Sequence, residues 1–421
     1  MFDLHNHPIP FTVKYMLVLG ITFLVALILT PIVRWIAFRV GAYDVPNARR
    51  MNTKIMPTSG GLAIFISFAI TTLFILPHIV QTVLPPNQYH DWFHYIDYVW
   101  PYVLAGGVVI LTGYLDDIFD LRPRYKVLGI TIAAAIIWFM TYTRLDNFKI
   151  PFGGPLIGFP SWLSFVFTII WIVLITNAMN IIDGLDGLVS GVSIISLLTM
   201  GIVAYFFLPV PNVFIPITIF TLVAAIAGFF PFNFNPAIIY LGDTGALFLG
   251  FMLSIFSLQG LKNATAVATL TPLLILGVPL TDSVVATIRR TLNKQKFYLP
   301  DKMHLHHRLL QLGFTVRGAV YLIYGIASIF ASIAIILNIS GRLGGILLII
   351  ASLFGIEIFI ELVGVLGKDR HPLLNIFKYI GNIAYRENIR ARHQGKQIDL
   401  EQTIEIHPIH HPSGKKSEND D

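Results

Sequence analysis

The chain contains no cysteine, so it can form neither disulfide bonds nor thiolate metal sites. It also has little charge: 12% of its 421 residues are Asp, Glu, Lys or Arg, whereas 55% are hydrophobic. A soluble domain carries about 25% charged residues. This scarcity of charge, with a mean hydropathy of +0.72, excludes an ordinary soluble domain or a compact basic nucleic-acid-binding domain. It indicates a protein embedded in a membrane.

Several common catalytic motifs are absent as well. The sequence has no Gly-rich phosphate loop of the Walker type and no nucleophilic serine elbow. The first twelve residues are polar, and no small-residue cleavage site follows the first apolar run, so we expect no removable signal peptide. Functional residues must therefore be sought among the polar groups that interrupt or border the apolar runs.

Eleven apolar runs are long enough to cross a bilayer as helices. We predict an all-α, polytopic integral membrane protein with about 11 transmembrane helices. Two parts are expected: a transmembrane domain over 1–366, and a tail over 367–421 that consists of an interfacial helix and a disordered end. The runs cover about 13–38, 60–84, 99–115, 127–143, 161–179, 187–208, 213–231, 243–260, 266–288, 318–338 and 343–366.

Lys and Arg are distributed unevenly among the segments that join these runs. Most of the 29 follow odd-numbered helices, in 34–54, 116–126, 289–317 and 367–421. The positive-inside rule places these segments in the cytoplasm, with the amino terminus outside and the carboxyl terminus in the cytoplasm. The polar motifs also follow odd-numbered helices, so we expect a functional site that faces the cytoplasm.

The segment Asn177–Leu188 concentrates polar residues between two apolar runs. Asn177, Asn180, Asp183 and Asp186 recur every three residues, a spacing that places neighbours near one face of a helix or tight turn. Ionisable residues at membrane depth are costly, so they are candidates for function. A polar hairpin that joins two spans is the structural alternative.

Two further groups of acids border the apolar runs. Asp116, Asp117 and Asp120 end the third run and are followed by basic residues, including Lys126. Carboxylates beside cations suit a site that handles phosphates and a divalent metal, although solvated charges at a helix end are the alternative. Asp243 begins the eighth run, where it would either cap the helix or bind Mg²⁺.

Three histidines, His304, His306 and His307, lie in the longest predicted cytoplasmic loop between spans. On a helix His304 and His307 would share a face and His306 would not, and no further His or Cys is nearby, which disfavours a zinc site. Several Arg and Lys residues surround the histidines. Imidazoles that donate hydrogen bonds to phosphate oxygens fit this setting better.

In this order, the motifs resemble those of the polyprenyl-phosphate N-acetylhexosamine-1-phosphate transferases, the glycosyltransferase 4 superfamily that includes MraY and the WecA/TagO branch. The resemblance extends over about residues 30 to 320. It implies an enzyme of the bacterial plasma membrane that uses Mg²⁺, or Mn²⁺ in its place. Such an enzyme transfers a hexosamine-1-phosphate from a UDP-sugar to undecaprenyl or another polyprenyl phosphate and releases UMP. This is a first membrane step in the synthesis of a cell-envelope polysaccharide or teichoic acid.

The resemblance also implies roles for individual residues. Asp116 and Asp117 match the acidic pair near the lipid phosphate, with Asp117 as the residue that deprotonates or orients it. Asp243 matches the metal ligand, and Asn180 would assist it. The remaining matches lie in the nucleotide and sugar pocket: Lys54, Lys126, Asn177, Asp183, Asp186, Asn233, Tyr240, His304, His306 and His307.

The segment His304–His307 reads His-Leu-His-His, which resembles the WecA/TagO branch rather than the three consecutive histidines of MraY. The expected donor is therefore UDP-GlcNAc or a close UDP-hexosamine. An MraY-like phospho-MurNAc-pentapeptide transferase is the alternative within the family, and an ion-coupled transporter is the alternative outside it. The family also implies a homodimer. Glu357 and Glu361, one turn apart in the last run, would then form a contact between helices or subunits.

Overall fold

The computed structural model describes residues 11–45, 55–80, 91–149, 155–207, 214–262, 270–292 and 303–364, with Asn375 and Tyr379. The described residues up to 364 belong to a unit that covers Met1–Lys368. Lys54 and nearly all of the tail over 367–421 lie outside the described residues. The expectations for them, and for the boundary between the two parts, stay predictions.

The fold is built almost entirely from helices, because a helix satisfies its own backbone hydrogen bonds in an apolar environment. A π-helical segment, Thr71–Ile75, joins the second helix to the third. In chain order the helices are α1 (Phe11–Val40), α2 (Gly61–Ile70), α3 (Leu76–Val80), α4 (Asp91–Phe119), α5 (Pro123–Met140), α6 (Ser161–Ile181), α7 (Leu188–Phe207), α8 (Phe214–Asn233), α9 (Gly242–Lys262), α10 (Thr271–Ile275), α11 (Gly277–Leu292), α12 (Leu305–Gln311), α13 (Val316–Ile339) and α14 (Arg342–Val363).

In the described part of the chain, four short strands form two antiparallel pairs. Strand β1 (Tyr43–Asp44) pairs with β2 (Met56–Pro57), and Tyr43 lies opposite Pro57. Strand β3 (Asn147–Lys149) pairs with β4 (Leu156–Gly158) in the connection between α5 and α6, in the register Asn147 to Gly158. These pairs shape connections and leave the architecture all-α.

Nine helices in the described part of the chain are long and apolar enough to cross a membrane. The protein is thus an all-α, polytopic membrane protein, as predicted. Helices occupy all eleven predicted positions, but those at the eighth and ninth positions are not among the nine. The number of spans and the sides of the termini stay predictions.

The ninth predicted run, 266–288, is divided between α10 and α11 rather than forming one helix. Pro279 has no N–H to donate to the carbonyl of Ile275, one turn before it, and the helix is interrupted at Leu276. Apolar composition alone did not indicate this break.

Helix α9 packs against α2, α4, α6 and α7 in the core of the bundle. Its side chains Leu247, Phe248 and Phe251 are fully buried. A Cβ on Gly61 would collide with the backbone of Gly245, so the starts of α2 and α9 approach backbone to backbone. This close packing brings the polar start of α9 beside the polar end of α4.

Candidate active site

A cavity of about 890 Å³ lies where α4 and α6 end and α5 and α9 begin. It brings together residues that are far apart in the sequence and were predicted as site residues from separate motifs. Eleven of the predicted residues line it: Asp116, Asp117, Lys126, Asp183, Asp186, Asn233, Tyr240, Asp243, His304, His306 and His307.

Two of the predicted residues that the structure describes are not among those that line the cavity. Asn180 lies behind it, and its Nδ2 donates to Oδ1 of Asp243 at 2.9 Å. Asn177 donates from Nδ2 to the carbonyl of Val173, one turn back on its own helix, at 2.8 Å. Lys54 lies outside the described residues. The polar spacing of three therefore places Asn180 next to the site but turns Asn177 to its own backbone.

Lys126 joins carboxylates from two helices. Its Nζ lies 2.6 Å from Oδ2 of Asp116 at the end of α4, and it also bonds Oδ2 of Asp243 at the start of α9. The other oxygen of Asp116 accepts a hydrogen bond from the backbone N–H of Leu121 at 2.8 Å. A single ammonium group thus occupies the space between two carboxylates, which shows that the two acids converge on a cation.

Asp117 points to different partners from its neighbour Asp116. Its carboxylate accepts hydrogen bonds from the backbone N–H of Asp243 at 2.9 Å and of Thr244 at 3.3 Å. It also accepts from the hydroxyls of Thr244 at 2.5 Å and Ser59 at 2.9 Å. A carboxylate at a helix amino terminus is favoured by the free N–H groups and the helix dipole. Asp117 therefore caps α9 from the cavity wall.

Asp183 lies in the turn between α6 and α7, at the cavity wall. Burial raises the pKa of its carboxyl well above the usual value, and the nearby negative charges of Asp243, Asp117 and Asp186 raise it further. These neighbouring carboxylates disfavour a negative charge on Asp183. The cavity therefore contains more carboxylates than its own cationic groups neutralise.

The connection between α8 and α9 is held by Asp186 in the α6–α7 turn and by Asn233 at the end of α8. Oδ2 of Asp186 accepts hydrogen bonds from Nδ2 of Asn235 at 2.9 Å and from the backbone N–H of Ala237 at 3.1 Å. Asn233 is buried, accepts from the hydroxyl of Ser190 at 2.8 Å and donates to the carbonyl of Ile239 at 3.2 Å. These bonds fix the loop that presents Tyr240 to the cavity.

The three histidines lie at the start of α12, and each is in a different setting. Nδ1 of His304 lies 2.9 Å from Oδ2 of Asp282 on α11. The rings of His306 and His307 have centroids 4.1 Å apart. Burial and the neighbouring His307 lower the pKa of His306 to about 3, so this ring is neutral at physiological pH. A Cβ on Gly184 would collide with Nε2 of His306, so a larger residue there would displace the ring.

The residue that follows the histidine segment is bonded to α14. Arg308 is buried, and its Nε donates to the carbonyl of Val363 at the end of α14 at 3.2 Å. Its Nη1 also donates to Oε1 of Gln311 at 2.8 Å. The histidine segment is therefore held at both ends, by α11 at its start and by α14 at its end.

The charge balance of the cavity indicates what it can bind. Among the described residues that line it, seven are aspartates and one is a lysine, Lys126. A ligand that carries phosphates would be repelled by these carboxylates unless a cation accompanies it. Oxygen ligands without thiolates fit Mg²⁺ or Mn²⁺. No group of three or more His, Asp or Glu residues that could hold a metal ion is found among the described residues. Mg²⁺ is usually bound by one or two carboxylates together with water and phosphate oxygens.

Asp282, Ser59 and Thr244 contact predicted site residues but were not themselves among the predicted site residues. Ser59 and Thr244 are small hydroxyl residues with no signal of their own in the sequence. Asp282, in contrast, is a carboxylate inside the ninth apolar run and is buried. A charge inside a predicted apolar run was a signal of function that could have been used.

Comparison with known proteins agrees with this geometry. A family model described as glycosyl transferase family 4 matches residues 99–261. The chain is 37% identical over 359 residues, 85% of this chain and 94% of the other, to a Bacillus subtilis protein named probable undecaprenyl-phosphate N-acetylglucosaminyl 1-phosphate transferase. It is 32% identical over 318 residues, 69% of this chain and 74% of the other, to the decaprenyl-phosphate N-acetylglucosaminephosphotransferase of Mycolicibacterium smegmatis.

A more distant relative covers a similar share of the chain. The undecaprenyl-phosphate alpha-N-acetylglucosaminyl 1-phosphate transferase of Escherichia coli is 27% identical over 323 residues, 73% of this chain and 79% of the other. The matched segment 99–261 contains the acids of α4, the α6–α7 turn and the start of α9. The resemblance inferred from the motifs is confirmed, and the chain belongs to glycosyl transferase family 4.

Proposed function

We propose that this protein transfers N-acetylglucosamine-1-phosphate from UDP-N-acetylglucosamine to a polyprenyl phosphate and releases UMP. The names of its relatives specify undecaprenyl or decaprenyl phosphate and an N-acetylglucosaminyl phosphate group. The observation that carries the proposal is the convergence of Asp116 and Asp243 on one cation in a cavity that also contains three histidines. These features favour chemistry between two phosphate-bearing substrates.

The reaction joins two anions, so its main barrier is electrostatic. An oxygen of the polyprenyl phosphate attacks the phosphorus that bears the sugar. A new P–O bond forms while the pyrophosphate P–O bond breaks, and UMP leaves with the released oxygen. Cationic groups that neutralise the phosphates lower the cost of this approach and stabilise the charge that develops on the leaving group.

Asp243 and Asp116 are proposed to hold Mg²⁺, which when bound supplies positive charge to the donor pyrophosphate. Asn180 supports this role, because its hydrogen bond to Oδ1 fixes the carboxylate of Asp243. Lys126, which pairs with both acids, is proposed to hold phosphate oxygens. Four donors already surround the carboxylate of Asp117. We therefore assign Asp117 to orientation near the acceptor phosphate rather than to proton transfer.

The donor nucleotide is proposed to bind on the side of the cavity formed by the α6–α7 turn, the α8–α9 loop and the histidines. Tyr240 offers a ring for stacking on uracil. Asp183 also lines this part of the cavity, whereas Asp186 and Asn233 shape the loop through their hydrogen bonds. For Lys54 and Asn177, roles in this pocket stay predictions from the family.

The active site is proposed to face the cytoplasm of a bacterial plasma membrane, as the distribution of Lys and Arg predicts. A site at helix ends allows UDP-N-acetylglucosamine to enter from the cytoplasm and the polyprenyl phosphate to enter laterally from the bilayer. The product would begin a cell-envelope polysaccharide or teichoic acid. The division into a transmembrane domain and a cytoplasmic tail, and a homodimer, are proposed on the sequence and the family alone.

Release of UMP by the purified, detergent-solubilised protein tests the proposal. Undecaprenyl phosphate and Mg²⁺ would be supplied with UDP-GlcNAc, UDP-GalNAc or UDP-MurNAc-pentapeptide in turn. We expect UMP that depends on the lipid, on UDP-GlcNAc and on Mg²⁺, with loss of activity in excess EDTA. Turnover with the pentapeptide donor alone would instead support the MraY-like alternative. No UMP from folded protein with any donor would contradict the proposal and call for a flux assay of the transporter alternative.

A further inference from the structure

The three histidines of the cavity differ in what lies behind each ring. His304 has a buried carboxylate, Asp282, on its Nδ1 side at 2.9 Å. The ring of His306 lies against Gly184, and the rings of His304 and His306 are nearly parallel with centroids 6.1 Å apart. An imidazole beside a carboxylate donates a hydrogen bond from the nitrogen that faces the carboxylate, and this bond fixes which nitrogen carries the proton. By this criterion His304 differs from His306.

Both carboxylate oxygens of Asp282 have hydrogen-bond partners. Oδ1 accepts a hydrogen bond from the backbone N–H of Leu305 at 2.8 Å, and this N–H group can only donate. Oδ2 is thereby left facing Nδ1 of His304. A carboxylate can accept from both partners at once, so the pairing is complete only when the proton of the imidazole lies on Nδ1.

The surroundings of this pair are apolar on the side of Asp282. Asp282 and Leu305 form part of the wall of a second cavity, of about 340 Å³, between α11, α13 and α14, whose other walls include Phe330 and Ile360. Asp282 and His304 expose only 4% and 6% of their surface. Water has little access to the bond between them, and hydrogen bonds are electrostatically stronger in such surroundings.

We infer that Asp282 is a positioning residue that fixes the proton of His304 on Nδ1, so that Nε2 is the nitrogen turned to the substrate. In this arrangement His304 presents the unprotonated Nε2 to the cavity as a hydrogen-bond acceptor. The inference rests on the proposed function for the identity of the substrate, a UDP-sugar. The placement of the proton itself does not depend on turnover.

The alternative is that Asp282 serves only to cap α12 through Leu305. Substitution Asp282→Asn separates the two roles. An asparagine can still accept from the N–H of Leu305, but its amide group then faces Nδ1 of His304 as a donor. The hydrogen bond from Leu305 that caps α12 is kept, and the proton of His304 must move to Nε2.

The first measurement is the nitrogen NMR spectrum of protein labelled with ¹⁵N-histidine, in which a His304→Gln variant assigns the signals of His304. We expect a protonated Nδ1 in the unmodified protein and an unprotonated Nδ1 in Asp282→Asn. An unprotonated Nδ1 in the unmodified protein, or an unchanged signal in the variant, would overturn the inference. If Asp282→Asn does not fold, the spectrum of the unmodified protein decides. None of these readings requires that UMP be formed.

The second measurement is a double-mutant cycle on kcat/KM for UDP-GlcNAc. Asp282→Asn should lower it by about 10- to 100-fold, the usual cost of losing a partner that orients a functional histidine. In the His304→Gln background the same change should cost no more than about threefold, since Asp282 acts through that ring. An equally large fall in kcat/KM in the unmodified and the His304→Gln backgrounds would contradict the inference. Asp97→Asn, at an exposed position of α4, is the matched control and should keep normal activity.

Discussion

Helix α4 carries a different kind of polar cluster towards each of its ends. Towards its amino terminus the cluster is neutral: Nε2 of Gln259 donates to the hydroxyls of Tyr102 at 2.7 Å and Thr143 at 3.2 Å. The hydroxyl of Tyr98 donates to Oε1 of Gln259 at 3.2 Å. These side chains are largely buried and bond to one another. Such a closed network needs nothing from outside the protein.

At the other end of α4 the cluster is charged and incomplete. Asp116 and Asp117 meet Asp183 and Asp243 at a cavity where, among the described lining residues, Lys126 is the one lysine or arginine. Buried charge that its neighbours do not neutralise costs stability. The comparison teaches that burial of polar groups does not itself mark an active site. An active site is indicated instead by a polar cluster whose charge is balanced only when an additional cation or ligand binds.

The largest effect should follow from substitution at the charged end. Asp243→Asn keeps the size of the side chain but removes the charge that pairs with Lys126, and we expect UMP release to fall by about 10³-fold or more. Measurement of UMP against time, in protein with an unchanged elution profile and melting midpoint, checks this. Near-normal turnover would show that Asp243 is not needed to hold the metal. It would also weaken the contrast between the two polar clusters of α4.

A smaller loss is expected when a histidine is displaced without any change of charge. Gly184→Ala places a Cβ where Nε2 of His306 lies, so the ring must shift, and we expect kcat/KM for UDP-GlcNAc to fall by about 10- to 100-fold. Gly325→Ala in α13 is the control, since a Cβ there meets nothing within 4 Å. Equal activity of the two variants would show that the cavity tolerates movement of His306.

The smallest effect is expected at the neutral end, and on stability rather than activity. Tyr102→Phe removes the hydroxyl that accepts from Gln259, leaving a buried amide donor with one partner fewer, at a cost of about 1 kcal/mol. The melting midpoint should fall while kcat and KM stay unchanged. Tyr205→Phe changes an exposed ring in the same way and should alter neither. Reduced turnover in Tyr102→Phe would show that the two clusters are coupled.

Much of this architecture could be predicted from the sequence because it depends on local patterns. Long apolar runs located the helices, since a bilayer or an apolar core demands such runs. The acids and histidines were found because charge is rare in this chain. Motif order and resemblance then placed Asp116, Asp243 and His304 in one cavity, where the structure brings them together.

The remaining features depend on contacts between distant segments. Nothing near Asp117 in the sequence indicates that Ser59 and Thr244 donate to it, because these residues meet only when α2, α4 and α9 pack. The same holds for Asp282, which reaches His304 from another helix. The spacing of three residues also did not indicate that Asn180 faces the site and Asn177 does not. The direction of each side chain depends on which hydrogen-bond acceptor lies closest.

The bond from Arg308 to the carbonyl of Val363 has a consequence for biosynthesis. The ribosome delivers α12 before α14, so a nascent chain that ends before residue 363 already contains the described cavity residues, including His304–His307. It lacks the acceptor for a buried guanidinium, and an arginine left without that acceptor is costly in an apolar environment. Helix α14 therefore supplies a bond that the histidine segment needs, and a chain truncated ahead of it leaves Arg308 with Gln311 but without Val363.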